Sequence, residues 1–136
     1  MKALLVSADG EAQELMALTA LGVRRALGQD APVELAVAPN GRAGVHAAWR
    51  MRPDVVIAEE ITSPAGAFSL TKELRDSDPA FSGAIVILLE RPEDAWLAGW
   101  AGADAWLVKP VDPFELGDTI ARLLADRVAD VRKEAG

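Results

Sequence analysis

Five short apolar runs, separated by longer segments of helical period, constrain this chain more than any other feature. They are Ala3-Leu4-Leu5-Val6, Val33-Glu34-Leu35-Ala36-Val37, Val55-Val56-Ile57-Ala58, Ile85-Val86-Ile87-Leu88-Leu89 and Trp106-Leu107-Val108. The first, third and fourth are apolar at every position. A strand with one wet face alternates, so these three read as central parallel strands covered on both sides. The second run alternates more, as a strand near a sheet edge does. The intervening segments place helices at Glu11 to Leu27, Gly41 to Met51, Ala67 to Arg75, a short stretch after Pro92, and Pro113 to about Arg132. Asp9 is the expected N-cap of the first helix, and Pro53 closes the second. Strict alternation of strand and helix implies an α/β fold, a doubly wound parallel sheet with right-handed crossovers.

Composition narrows the function. At 136 residues and 51% hydrophobic, the chain has one domain's worth of sequence and enough apolar side chains for a core. Positions 1–126 read as that domain, and 127–136 as a charged helix end or tail. Cysteine is absent and His46 is the single histidine, which excludes thiolate chemistry and a multi-histidine metal site. His46 itself reads as a solvent-facing or packing residue. A net charge of −7 disfavours direct contact with a nucleic-acid backbone. No basic region precedes a long apolar stretch, and no run of 18 apolar residues occurs. A cytoplasmic location, away from membranes, is therefore expected.

In a doubly wound sheet the working site lies outside the carboxyl ends of the strands. Those ends carry Ser7-Ala8-Asp9, Glu59-Glu60, Leu89-Glu90 and Lys109-Pro110. Pro53-Asp54 leading into the third run, the Ala101-Gly102-Ala103-Asp104 turn, and Lys109-Pro110 followed by Asp112-Pro113-Phe114-Glu115-Leu116 resemble the receiver domain of bacterial response regulators. The resemblance spans nearly the whole chain. It implies a flavodoxin-like five-stranded sheet of order 2-1-3-4-5 with five helices. It also implies a role in two-component phosphorelay signalling, with a histidine kinase as a candidate partner. In that family an aspartate after strand three accepts a phosphoryl group, and two acids after strand one hold Mg²⁺. A Thr or Ser ends strand four, a lysine follows strand five, and an aromatic residue in strand five acts in switching.

This chain departs from that pattern at most of those positions. Ser7 and Ala8 stand where the acids belong, with Asp9 one position further on. Glu59 falls at the phosphoacceptor position, and its extra methylene moves the carboxylate away from in-line geometry. A misplacement near 1 Å can cost ~10²-fold where positioning supplies the rate. Glu60 competes for the position, because Pro64 follows it at the family's usual spacing. Leu89 stands in place of the switch hydroxyl. Lys109, Pro110 and the strand-five aromatic, here Trp106, are retained, and the resemblance implies a cis bond before Pro110. The expectation is a degenerate, stand-alone receiver that is not an enzyme and takes no cofactor, Mg²⁺ included. Glu59 is expected to pair with Lys109, on the reasoning that both end adjacent strands and an unpaired buried charge is costly. The alternatives are a phosphoaccepting receiver using Glu59 or Glu60, with Asp9 as a partial metal site, and a flavodoxin-like small-ligand-binding domain.

The segment Ala95-Trp96-Leu97-Ala98-Gly99-Trp100-Ala101-Gly102-Ala103 has no charged or polar side chain. A surface helix ordinarily carries a polar stripe. Either both indoles lie over strands four and five as core, or part of the helix is an apolar docking face. The resemblance puts dimers and effectors on the face of helix four, strand five and helix five. Trp96, Leu97, Trp100 and Trp106 are therefore the expected contact residues for a protein partner or a homodimer.

Overall fold

The computed structural model describes residues 1–8, 10–60 and 66–135, with the last nine as backbone alone. Eleven elements follow in chain order: β1 (Lys2–Val6), α1 (Ala12–Leu27), β2 (Glu34–Ala38), α2 (Gly41–Met51), β3 (Val55–Glu59), α3 (Ala67–Asp76), β4 (Ala84–Leu89), a 3₁₀ turn (Pro92–Asp94), α4 (Ala95–Ala101), β5 (Ala105–Val108) and α5 (Pro113–Ala135). The strands form one parallel sheet of order β2-β1-β3-β4-β5, as the sequence leads one to expect.

The full apolarity of the central strands has the expected cause. Successive residues of a strand point to opposite faces, and here both faces are covered. Val6, Val56, Ile85 and Ile87 pack with Ala48, Leu70, Leu74 and Ala98 of α2, α3 and α4. Leu5, Val55, Ile57, Val86 and Leu88 pack with Leu15 and Val23 of α1 and Leu116 and Ile120 of α5. β2 is an edge strand and is covered less completely.

Local chemistry fixes the helix ends. Asn40 caps α2 by accepting the Ala43 N–H at 2.9 Å, as a short polar side chain at that position does. Asp9 lies outside the described residues. Glu11 occupies the N-cap position of α1, without a side-chain capping bond. Gly102 ends α4 in the left-handed region at φ 103°, where a side chain would be strained.

The Gly102–Asp104 turn is bolted down by one arginine. Arg75 donates to the carbonyls of Gly102 (2.9 Å), Phe81 (2.7 Å) and Gly83 (3.0 Å) and to Asp104 Oδ2 (2.6 Å). The same Asp104 oxygen accepts the Ile85 N–H at 2.7 Å. One guanidinium thus joins α3, the lead into β4 and the lead into β5.

The closest helix contact is between α1 and α5, where Gly22 and Gly117 meet. A Cβ on Gly117 would lie 2.0 Å from the Gly22 carbonyl oxygen, so the backbones touch directly. Gly99 of α4 is different, because a Cβ there would meet only Trp106, at 3.5 Å. Gly117→Ala is expected to lower stability by at least the ~1–3 kcal/mol usual for overpacking. Gly99→Ala is expected to be neutral or to stabilise by up to ~1 kcal/mol, the ordinary helix-interior gain. Urea denaturation of both variants checks the pair, and equal effects would show that the α1–α5 contact can open without loss.

Candidate functional site

The carboxyl ends of β1, β3, β4 and β5 bring the sequence-selected residues together. Glu59 is the last residue of β3 and only 6% exposed. Both of its carboxylate oxygens are engaged. The Ser7 hydroxyl, at the end of β1, donates to Oε2, and Lys109 Nζ lies 2.8 Å from Oε1. The expected ion pair is present, although the route to it differs from the one reasoned from sequence. β3 and β5 are not neighbours, because β4 runs between them and pairs with both. Sheet strands are spaced roughly 4.8 Å apart, so Lys109 must reach across the end of β4. A four-carbon stem makes that possible.

Lys109 has further partners that sequence reasoning did not assign. Glu90 Oε1 accepts from its ammonium at 3.0 Å, and Glu11 Oε2 stands 3.8 Å away. Burial works against the charge on Lys109. The hydrogen bonds and charges of Glu59 and Glu90 more than offset this and hold its pKa above the ordinary lysine value. Glu90 stands among the strand-end residues picked out from the sequence, but without Lys109 as its partner. Glu11 carried only a helix-start signal. The Lys109–Pro110 peptide is cis, as the resemblance implies.

Glu60 belongs to a separate cluster. Its backbone N–H extends the ladder to the Leu88 carbonyl at 3.0 Å, while its Oε2 accepts the Glu90 N–H at 2.8 Å. Its side chain is also hydrogen-bonded to Asp94, whose Oδ1 lies 3.2 Å from Arg91 Nη2. Burial raises the Glu60 pKa most. The Glu90 N–H opposes this, and the hydrogen bond and charge of Asp94 add to it. Asp94 moves the other way, held down by the Glu60 hydrogen bond and then by Arg91. Asp94 was not selected from sequence, and Pro64, on which the case for Glu60 rested, lies outside the described residues.

The remaining positions line up around this centre. Ala8 presents a methyl group, and Leu89 is fully buried with its carbonyl accepting the Lys109 N–H at 2.9 Å. A cavity of about 490 Å³ opens beside Glu59 and Lys109, walled by Leu15, Leu18 and Pro110 and rimmed by Glu11 and Glu14. Among the described residues no group of three His, Cys, Asp or Glu side chains is arranged to hold a metal ion. Ser7, whose hydroxyl is spent on Glu59, and Ala8, which has no donor, do not fit the Mg²⁺ that the resemblance brings with it.

The aromatic residues stand differently from the core reading. Trp96 is 68% exposed and Trp100 61%, and α4 buries only Ala98 and Ala101. A seven-residue helix with alanines inward leaves its indoles outside. Trp106 is 40% exposed and lies against Gly99, away from the residues lining the cavity. Trp100 does not join Trp106 on one face; the Lys72 ammonium of α3 sits 4.9 Å from its ring centroid. Leu97 is half-buried. Among the described residues, no helix is long and apolar enough to cross a membrane.

Comparison with known proteins agrees with this architecture. No protein-family model matches the chain. Two uncharacterized response regulatory proteins of Mycobacterium tuberculosis are each 39% identical over 71 residues, 52% of this chain and 53% of theirs. The chain's match thus spans about half the length of these curated relatives. Among solved structures, a CheY-like receiver domain protein of Methanospirillum hungatei superposes with TM-score 0.76 at 17% identity, covering 95% of this chain and 97% of that one. A Vibrio cholerae chemotaxis protein gives 0.70 at 27% identity, covering 90% and 97%. The N-terminal receiver domain of Klebsiella pneumoniae RstA gives 0.73 at 23%, covering 91% and 98%. The structural neighbours share this chain's fold, and the curated relatives are similar to it over about half of their length.

The Glu60–Asp94 pair generates a prediction with a definite sign. A raised folded pKa makes protonated Glu60 the better-accommodated form, so its favourable contribution is present below the usual glutamate pKa and lost as pH rises through the folded value. Glu60→Gln keeps an acceptor for the Glu90 N–H and a donor for Asp94. The variant is expected to gain roughly 0.5 kcal/mol at neutral pH, the scale of a part-exposed charge pair. That gain should vanish in acid, where wild-type Glu60 is itself protonated. Stability measured by denaturation at pH 7 and pH 4 checks this, and a loss at pH 7 would refute the assignment.

Proposed function

We propose that this chain is a degenerate receiver of two-component signalling that works by binding other proteins, without ordinary phosphotransfer. The observation that carries the reading is the engagement of both oxygens of buried Glu59, one by Ser7 and one by Lys109. A phosphoacceptor must offer a free oxygen in line with an incoming phosphoryl group, and the cation beside it must neutralise the transferring oxygens. Here the acceptor is a longer acid already bonded at both oxygens. Ala8 supplies no metal ligand, and Leu89 supplies no hydroxyl for a new phosphate. On this reading the chain is not an enzyme, takes no cofactor, and acts in the cytoplasm. A histidine kinase would meet it as a binding partner.

The output surface we assign is the face of α4, β5 and α5, where Trp96 and Trp106 are exposed and Leu97 is half-buried. Tryptophan supplies large contact area at small entropic cost, which suits an anchor. The occupant is a protein partner or a second copy of the chain. Trp100, turned toward α3, is less central to that face than the sequence suggested. A small-ligand reading draws on the cavity of about 490 Å³. Its acidic rim of Glu11 and Glu14 disfavours any phosphate-bearing ligand.

Incubation with acetyl phosphate and Mg²⁺ is expected to leave the intact mass of the protein unchanged, and Glu59→Asp is expected not to restore incorporation. A stoichiometric phosphoryl adduct on either would overturn the phosphorylation-independent reading in favour of a phosphoaccepting receiver. For the surface, Trp96→Ala is expected to weaken self-association or partner capture at least tenfold. A chain that sediments as a monomer at high concentration, and captures the same partners with Trp96 replaced, removes the support for this face.

A further inference from the structure

The top of the sheet raises a question that the missing metal ligands do not answer: what balances the negative charge collected there. Glu59, Glu90 and Glu11 come from β3, from the turn after β4 and from the start of α1, and all three approach one ammonium, that of Lys109, at 2.8, 3.0 and 3.8 Å. Ser7 closes the remaining side of Glu59 by donating to its second oxygen. Glu59 is buried, so it cannot look to water for its compensation. The cavity beside it adds a further acid, Glu14, and apolar Leu15, Leu18 and Leu88, so Lys109 is the one cation in its lining.

We infer that Lys109 is the resident cation of this site, doing permanently and from within the chain the charge-balancing work that a divalent ion would otherwise do. The inference rests on the phosphorylation-independent reading above and deepens it. A site whose cation is covalently attached cannot be emptied by chelation or filled by a rise in metal concentration. Its state is then set by folding alone, and the surface it supports is presented constitutively. Lysine suits this position because its flexible stem reaches over β4 and its ammonium has three donors to distribute among three carboxylates. Its pair with Glu59 is also shielded enough to be screened less than a surface pair, whereas Glu90 and Glu11 are exposed partners.

The test uses the whole chain in three variants, Lys109→Met, Glu59→Gln and the two combined, with urea midpoints read at matched ionic strength with and without millimolar Mg²⁺. Removing the lysine alone strands a buried carboxylate, whereas removing both charges leaves neutral groups. Lys109→Met is expected to lose more midpoint than the double variant. Wild type is expected to show no Mg²⁺ shift beyond that of the matched sodium salt, and neither variant lacking Lys109 is expected to regain midpoint on Mg²⁺ addition, because Ser7 and Ala8 supply no metal ligand. A saturable Mg²⁺ stabilisation of wild type overturns the inference. Equal losses in the single and double variants, unfolding of both included, also overturn it. A phosphoryl adduct on wild type would instead defeat the underlying reading while leaving the midpoint coupling measurable, so the two failures are distinguishable.

Discussion

A single buried carboxylate organises the upper end of this molecule. Glu59 closes a strand in which every other residue is apolar, and the sheet carries it to a position where only 6% of it is exposed. An ion in such a place needs partners with good geometry on every lone pair, or the fold loses several kcal/mol. The chain meets the requirement from both directions. β1 contributes a hydroxyl at Ser7, and β5 contributes an ammonium at Lys109 that spans the intervening strand. The neighbouring strands β1 and β3 and the more distant β5 are therefore tied through one side chain. The arrangement satisfies Glu59 and at the same time removes the free oxygen that phosphotransfer chemistry needs.

The same logic explains how β5 stays in place. It is an edge strand of only four residues, half-buried, with a backbone ladder on one side. Such a strand has little apolar burial to hold it. Ionic anchors secure it at both ends. Asp104, just before it, accepts the Ile85 N–H and the Arg75 guanidinium. Lys109, just after it, is held by Glu59 and Glu90. Arg75 is itself bonded to three backbone carbonyls, so the lower anchor does not pivot. Fixing both ends leaves the outward residues Trp106 and Val108 on a defined surface without requiring that they be buried.

Much of this was legible in the sequence, for identifiable reasons. Runs such as Ile85–Leu89 announced central strands because parallel sheets are covered twice. The carboxyl-end rule drew attention to Ser7, Glu59, Glu90 and Lys109 without any structure. The Glu59–Lys109 pair was anticipated through an adjacency that the sheet does not have, since strand order is non-local and β4 intervenes. Glu11 and Asp94 were missed as partners because their sequence context reads as a helix start, and nothing local shows which strand end each will approach. The role of Arg75 was likewise invisible, because three of its partners are carbonyls, which every residue possesses. Trp106 was expected from the resemblance as the strand-five aromatic, and its packing over Gly99 was not legible because strand alternation alone does not say which helix covers that face.

The exposed indoles follow from the length of α4. A helix of seven residues makes about two turns, and with Ala98 and Ala101 inward its attachment to the sheet involves little apolar area. Trp96 sits on the outward side by simple helical geometry, one turn before Trp100, and no rotation could bury both indoles without exposing the alanine contact. Each exposes roughly 130 Å² of aromatic surface, taking ~200 Å² per ring, worth ~3 kcal/mol if fully covered. Association itself costs about 4–15 kcal/mol. The indoles can therefore anchor an interface but cannot sustain one alone. Whatever covers them must also engage neighbouring polar groups. On the α3 flank these include Lys72, already seated over Trp100, and along α5 they include Glu115, Asp118 and Arg122 beside Trp106. The two acids against one arginine beside Trp106 then favour a partner that brings positive charge to that part of its rim.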